Sequence, residues 1–105
     1  MPKATIHPEV CQKLRAAIDL APYPARITQL TLTFLTGVKG EETRSHIAHM
    51  RETGAPIGSD TKGYYLARTA DEMERTISQM VNRRDALSSV IASLRRTQRG
   101  MKAAR

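Results

Sequence analysis

The stretch of sequence that decides the fold is Pro56-Ile57-Gly58-Ser59-Asp60-Thr61-Lys62-Gly63-Tyr64-Tyr65-Leu66. Glycines bracket a polar tip, and β-favouring residues leave it, which is typical of a β-hairpin. Because Tyr64 and Tyr65 are adjacent on a strand, their side chains point to opposite faces, so we expect one of them in the core.

The sequence predicts two helices joined by a stiff Pro22-Tyr23-Pro24 connector, with a tight turn at residues 37–40 after the second. The first follows Pro8, carries an apolar stripe from Val10 to Ala21 and ends before Pro22. The second runs from Thr28, its predicted cap, to about Thr36, with Gly37 as its stop. It is apolar on most sides, so we expect it in the middle of the core.

A third predicted helix, from about Glu41 to Thr53, directly precedes the hairpin. Thr43, Ile47 and Met50 share its inner face at 100° per residue. The predicted fold class is mostly α with a small β-hairpin: a winged helix-turn-helix followed by a long C-terminal amphipathic helix. Residues 1–68 form the predicted winged domain, with an arm at 1–6 and a wing at 56–67.

The last segment, residues 69–105, is predicted to be one long basic helix that opens at a Thr69–Glu72 capping box. Apolar residues recur along it in steps of four and three, which is typical of a coiled coil. We therefore expect oligomerisation through a seam that includes Met80, Arg84, Leu87, Ile91 and Leu94. The alternative is an amphipathic helix that packs back on its own domain.

The positive charge is concentrated at the C-terminal end. Residues 1–82 carry ten basic and nine acidic side chains, a net charge of +1. Residues 83–105 carry seven basic side chains against Asp85 alone, a net charge of +6. A terminal block of one sign typically binds a polyanion, although basic residues also simply stabilise the end of a helix.

Several segments between the second helix and the hairpin form one string of motifs. They are Leu32-Thr33-Phe34-Leu35-Thr36-Gly37, Glu42-Thr43-Arg44, Ile47, Met50-Arg51, Gly54-Ala55-Pro56-Ile57-Gly58-Ser59-Asp60 and Lys62-Gly63-Tyr64-Tyr65-Leu66-Ala67. Together they resemble the small winged helix-turn-helix proteins encoded by phages and prophages. The resemblance covers about residues 26–77 and is most specific in the hairpin. It implies that the third helix is a recognition helix and the hairpin a wing. Thr43 departs from the family, which usually has an aliphatic residue at this position.

The leading functional prediction is a double-stranded DNA-binding protein acting in transcription regulation, replication or recombination. The predicted DNA-binding residues lie on the third helix, the wing and the basic tail. They are Lys39, Glu42, Arg44, Ser45, His49, Lys62, Arg95, Arg96 and Arg99. The alternative is a winged-helix module that binds or inhibits a host or phage protein.

Catalysis and metal binding have little support in the sequence. His46 and His49 are three residues apart and supply only two ligands, so we expect them to be solvated or to face the groove. Cys11 is the single cysteine and is expected to be a packed thiol. We expect no enzyme, cofactor or metal site. The lack of a signal peptide or a long apolar run predicts a cytoplasmic protein without a membrane partner.

Overall fold

The computed structural model describes residues 5–103, so the predicted arm at 1–6 lies mostly outside the described residues. Within this range the chain forms four helices and one antiparallel hairpin. In chain order these are α1 (Pro8–Ile18), α2 (Gln29–Thr36), α3 (Gly40–Glu52), β1 (Ile57–Asp60), β2 (Gly63–Leu66) and α4 (Ala70–Ala103). The prediction of a mostly helical chain with a small hairpin and a long C-terminal helix is confirmed.

The core lies between α1, α2, α3 and the hairpin. Its fully buried side chains include Leu14 and Ile18 of α1, Leu32 of α2, Ile47 of α3 and Ile57 of β1. The predicted apolar stripe of α1 and the inner face of α3 both supply it, and Cys11 packs half-buried against it as expected.

The expectation that α2 lies in the middle of the core is wrong. Leu32 is buried, but Leu30 and Phe34 are 81 % and 86 % exposed, and Leu35 is exposed as well. The inner side of this short helix is partly polar, because the Thr33 hydroxyl donates a hydrogen bond to the Val38 carbonyl (2.9 Å). The helix therefore lies beside the core and presents its largest apolar side chains outward.

Both ends of α2 form as predicted. The Thr28 hydroxyl accepts a hydrogen bond from the Thr31 N–H at 3.1 Å, which caps the N-terminus. Gly37 ends the helix in the left-handed conformation (φ 73°), where glycine carries no steric penalty.

The hairpin is joined to the connector between α1 and α2, which comprises residues 19–28. Ile57 pairs with Leu66, and Asp60 pairs with Gly63. Ile27 extends this pairing, since its N–H donates to the Tyr64 carbonyl and its carbonyl accepts from the Tyr64 N–H, both at 2.8 Å. The connector thus acts as a short third strand that holds the hairpin against the start of α2.

Tyr65 fixes the hairpin to α4 and confirms that one of the two tyrosines is in the core. Its side chain is 1 % exposed, and its hydroxyl donates to the Glu72 carbonyl (3.1 Å) and lies 2.8 Å from the Thr76 hydroxyl. The Thr76 hydroxyl also accepts from the Ser59 N–H at 2.9 Å. These contacts set the direction in which α4 leaves the domain.

The start of α4 is capped by Thr69 and Glu72, as the sequence predicts, except that Glu72 accepts from the N–H of Arg68 rather than from that of Thr69. The Thr69 hydroxyl accepts from the Glu72 N–H (3.1 Å), and the Glu72 carboxylate accepts from the Arg68 N–H (2.8 Å). The helix therefore begins at a defined place relative to the hairpin.

We expect Gly58→Ala to destabilise the fold, because an added Cβ would lie 2.2 Å from Cζ of the buried Tyr65 ring. Such overpacking costs about 1–3 kcal/mol. A matched control is Gly100→Ala on exposed α4, where a Cβ meets nothing within 4 Å and helix propensity improves. Thermal unfolding measures both variants, and an unchanged melting temperature for Gly58→Ala would contradict the packing of Tyr65 on Gly58.

The ion pair between Arg26 and Asp60 gives a prediction on acid stability. The hydrogen bond from Arg26 holds the pKa of Asp60 below its ordinary value. The contribution of this ion pair to stability is therefore fully present above about pH 4, the ordinary pKa of an aspartate. It is lost as the pH falls through the lowered pKa of Asp60. Denaturant unfolding at several pH values should show this loss in the native protein. Asp60→Asn should be less stable at pH 7 by about 2–4 kcal/mol. The two should converge below pH 4, and a constant gap would contradict the pair.

Candidate nucleic-acid interface

An open groove of about 350 Å³ lies between the N-terminus of α2, one flank of α3 and the tip of the hairpin. Thr28 and Gln29 line it from α2, Arg44 from α3, and residues 59–64 from the hairpin. Arg44 and Lys62 are predicted DNA-binding residues from separate segments, and the fold brings them to one groove.

The basic side chains dominate the charge of this groove. Asp60 also lines it, but Arg26 Nη2 lies 2.6 Å from Asp60 Oδ2, and both side chains are mostly buried. This hydrogen-bonded pair also raises the pKa of Arg26, so it stays ionised. Arg44 and Lys62 have no carboxylate within 4.0 Å among the described residues and are exposed. The groove therefore presents two uncompensated positive charges.

The position of Arg26 is held by two aromatic rings. Its guanidinium carbon lies 4.8 Å from the centre of the Tyr23 ring and 4.7 Å from that of Tyr65. Such cation–π contacts orient an arginine that an ion pair alone would leave free to rotate. Sequence reasoning did not identify Arg26, since its partner lies 34 residues away.

Arg51 is a second arginine whose role the sequence did not reveal. Its Nε donates to the Ile57 carbonyl at 2.8 Å, and its Nη2 donates to the Ser59 hydroxyl at 3.1 Å. Burial lowers the pKa of this guanidinium from its ordinary value. Arg51 thus joins α3 to β1, both of which contribute residues to the groove.

The other predicted residues of α3 do not reach the groove. Lys39 is the exposed N-terminal cap residue, and His49 is exposed near the C-terminus of the helix; each is five residues from Arg44, about 7.5 Å along the axis. Glu42 and Ser45 line a separate hollow with Thr5 and His7. The Ser45 hydroxyl donates to the Glu41 carbonyl at 3.0 Å, so it is already engaged.

The expectation that His46 is solvated or faces the groove is wrong. Its side chain is 1 % exposed, and it lies on the inner face of α3 beside Ile47 and Met50. Its Nδ1 donates to the Glu42 carbonyl at 2.7 Å, and its Nε2 accepts from the His7 N–H at 3.1 Å. Both nitrogens therefore have partners, and the proton lies on Nδ1. The position of His46 next to Ile47, and four residues before Met50, could have indicated its burial.

Thr43 is a structural residue of α3. It is fully buried, and its hydroxyl donates to the Lys39 carbonyl at 2.9 Å. It also accepts from the Gln29 amide at 3.3 Å, which links α3 to α2. A threonine at this position therefore fits a polar contact between the two helices, where an aliphatic residue would leave the amide of Gln29 with one partner fewer.

The basic end of α4 lies apart from the groove. Every described residue from 82 onward is exposed, and Arg95, Arg96 and Arg99 lie among them. The predicted seam residues are also exposed: Met80, Arg84, Leu87, Ile91 and Leu94. In a single chain, α4 beyond residue 81 therefore does not pack back on its own domain.

Residues 5–103 contain no group of three His, Cys, Asp or Glu side chains arranged to hold a metal ion. Over the same residues, no helix is both long enough and apolar enough to cross a bilayer.

The chain was also compared with known proteins. No protein-family model, curated protein or solved structure matched it. The groove, the exposed faces of the helices and the charge distribution are therefore the basis on which a function is inferred.

Proposed function

We propose that the protein is a double-stranded DNA-binding protein of the winged helix-turn-helix type. The observation that carries this proposal is the groove in which Arg44 and Lys62 meet beside the N-terminus of α2. A DNA phosphate placed there would contact two cations and the positive end of a helix dipole. The Arg26–Asp60 pair supports this, because Arg26 compensates the carboxylate charge that would otherwise repel the phosphate.

The order of elements supports the same proposal. Helix α2, a short turn and α3 are followed by a hairpin that packs beside α3 through Arg51. In a winged helix-turn-helix protein the second helix enters the major groove, and the wing contacts the backbone beside it. With Arg44 and Lys62 on phosphates, Glu42 and His49 are the exposed residues of α3 available to base edges, where Glu accepts from a cytosine amino group.

The long helix α4 would add affinity for DNA and would bring more than one DNA-binding domain into the same assembly. Arg95, Arg96 and Arg99 are exposed and add phosphate contacts that do not depend on sequence. Oligomerisation through the exposed seam of α4 would place at least two DNA-binding domains in one assembly. This arrangement suits a phage or prophage protein that acts in transcription regulation or in DNA replication or recombination.

A second candidate function is supported by the outer face of α2. Leu30 and Phe34 are four residues apart on a helix, so they share one face, and both are more than four-fifths exposed. Large exposed apolar side chains are typical of protein interaction sites. The protein would then be an interaction module that binds or inhibits a host or phage protein. Failure of the protein to bind random duplex at micromolar concentration and low salt would favour this function.

Substitution of the groove residues tests the DNA-binding proposal. We expect Arg44→Ala to weaken duplex binding by about 1–3 kcal/mol, because a charge-assisted contact is lost, and Lys62→Ala to weaken it in the same direction. A suitable control is Lys13→Ala, which removes one exposed positive charge from α1 outside the groove. Fluorescence anisotropy with a labelled duplex measures all three. Equal affinities for Arg44→Ala and Lys13→Ala would reject the groove as the contact site.

The arginines of α4 make a separate prediction on salt dependence. If Arg95, Arg96 and Arg99 each neutralise one phosphate, replacing all three by Ala should reduce the slope of log affinity against log salt by about 2–3. The Arg44→Ala variant should reduce it by only about 1. A slope that does not change in the triple variant would mean that the tail does not contact DNA.

A further inference from the structure

We propose that α4 pairs with α4 of a second copy in the antiparallel direction, centred near Ser89 and extending from Ile77 to Met101. This inference rests on the proposed oligomerisation and adds its orientation. In the single chain every described residue from 82 onward is exposed, including Leu87, Val90 and Leu94. A 34-residue helix with such a face needs a partner, and its own domain supplies none beyond residue 81.

The polar residues of the seam favour the antiparallel direction. In a parallel pair each seam residue faces its own copy, so Arg84 would meet Arg84 and Gln98 would meet Gln98. Like charges at the same level of a buried seam are destabilising. In the antiparallel pair centred near Ser89, Arg84 lies opposite Leu94, so the two arginines are separated along the seam.

The apolar residues of the seam match in the same register. Leu87 lies opposite Ile91 of the second copy at the centre of the pair, and Ile77 lies opposite Met101 at each end. Met80 lies opposite Gln98. Each of these pairs occurs twice, as a two-fold axis requires.

The flanking residues show charge complementarity in this direction. The first turns of α4 carry Asp71, Glu72 and Glu74, whereas its last turns carry Arg99 and Lys102. The antiparallel pair places Glu74 beside Lys102 of the second copy at both ends. In a parallel pair the basic ends would lie together, and Lys102 would be 28 residues, or about 42 Å, from Glu74.

Val90 is explained by the same register. It is 53 % exposed and lies on the flank of the seam. In a parallel pair this flank faces Arg95 of the second copy, whereas in the antiparallel pair Val90 lies beside Val90 at the two-fold axis. Ile77 and Met80 are 46 % and 39 % exposed, so the start of α4 has open surface for the end of the partner helix.

The orientation determines where the DNA-binding domains lie. Thr76, where α4 is anchored to the hairpin, is 13 residues from the centre at Ser89, which is about 20 Å along the helix. The two domains would therefore lie at opposite ends of the pair, about 40 Å apart. This separation is close to one turn of B-DNA, about 34–36 Å, which is the spacing that a two-fold symmetric dimer reads as two half-sites.

Disulfide formation between single cysteines tests the orientation in the full-length chain. Met80→Cys and Gln98→Cys are made as separate proteins in a Cys11→Ala background, and one of them carries a size tag. Each protein by itself, and a mixture of the two, is then oxidised with glutathione disulfide. The antiparallel pair brings residues 80 and 98 to facing seam positions, so we expect the mixed disulfide and no disulfide in either protein alone. In a parallel pair these residues are about 27 Å apart, and each protein would instead link to itself.

The outcomes separate this inference from the proposals on which it rests. Disulfides in either protein alone, with or without the mixed product, overturn the antiparallel direction and leave oligomerisation intact. The absence of all disulfides, with a monomer in sedimentation equilibrium, overturns oligomerisation through α4. A monomer that still binds duplex in the anisotropy titration would leave the DNA-binding proposal standing.

Charge reversal gives an independent check on the register. Glu74→Lys and Lys102→Glu should each weaken dimerisation by about two- to tenfold at low salt, and the double variant should restore it. Sedimentation equilibrium measures the dimer dissociation constant. Single variants without effect, or a double variant that is weakened additively, would contradict the pairing of Glu74 with Lys102.

Discussion

The packing of Tyr65 is the contact on which the rest of the structure depends. Its ring lies so close to Gly58 that a side chain at that position would clash with it, and its face supports the guanidinium of Arg26. Its hydroxyl binds the backbone of α4 at Glu72 and the side chain of Thr76. One buried side chain therefore joins the two strands, the connector before α2 and the long helix. Loss of this ring would weaken the attachment of all of these elements, leaving mainly the backbone pairing of the strands and the Ser59–Thr76 hydrogen bond.

The charge of the groove follows from the same contact. Arg26 lies between the rings of Tyr23 and Tyr65, and from there it reaches the carboxylate of Asp60 at the hairpin tip. Asp60 also accepts a hydrogen bond from the Lys62 N–H at 2.9 Å, which shapes the turn that carries Lys62. The carboxylate thus organises the tip while its charge is compensated by Arg26. The positive side chains of Arg44 and Lys62 are consequently left to act on a ligand.

The sequence predicted correctly those features of the structure that depend on residues close together in the chain. The hairpin, the caps at Thr28 and Thr69 and the stop at Gly37 all depend on neighbouring residues, and each formed as expected. The burial of His46 and the exposure of Phe34 depend on which face of a helix meets the core, and the expectations drawn from the sequence were wrong for both. The contacts of Arg26 and Arg51 cross between elements and had no local signal. Arg44 and Lys62 could each be selected from charge and position, but their meeting in one groove required the fold.

The distribution of charge indicates which part of such a protein would supply affinity for DNA and which part would supply sequence discrimination. The first 82 residues carry a net charge of only +1, and α3 presents Glu41, Glu42 and Glu52 to solvent. A single domain would therefore bind DNA weakly, with Arg44 and Lys62 on phosphates and discrimination left to Glu42 and His49. The basic residues of α4 add attraction that is independent of sequence, and pairing of two chains multiplies weak contacts through effective concentration. In the proposed dimer, a nearly neutral domain joined to a basic helix would gain affinity from valency, while the exposed residues of α3 would provide selectivity.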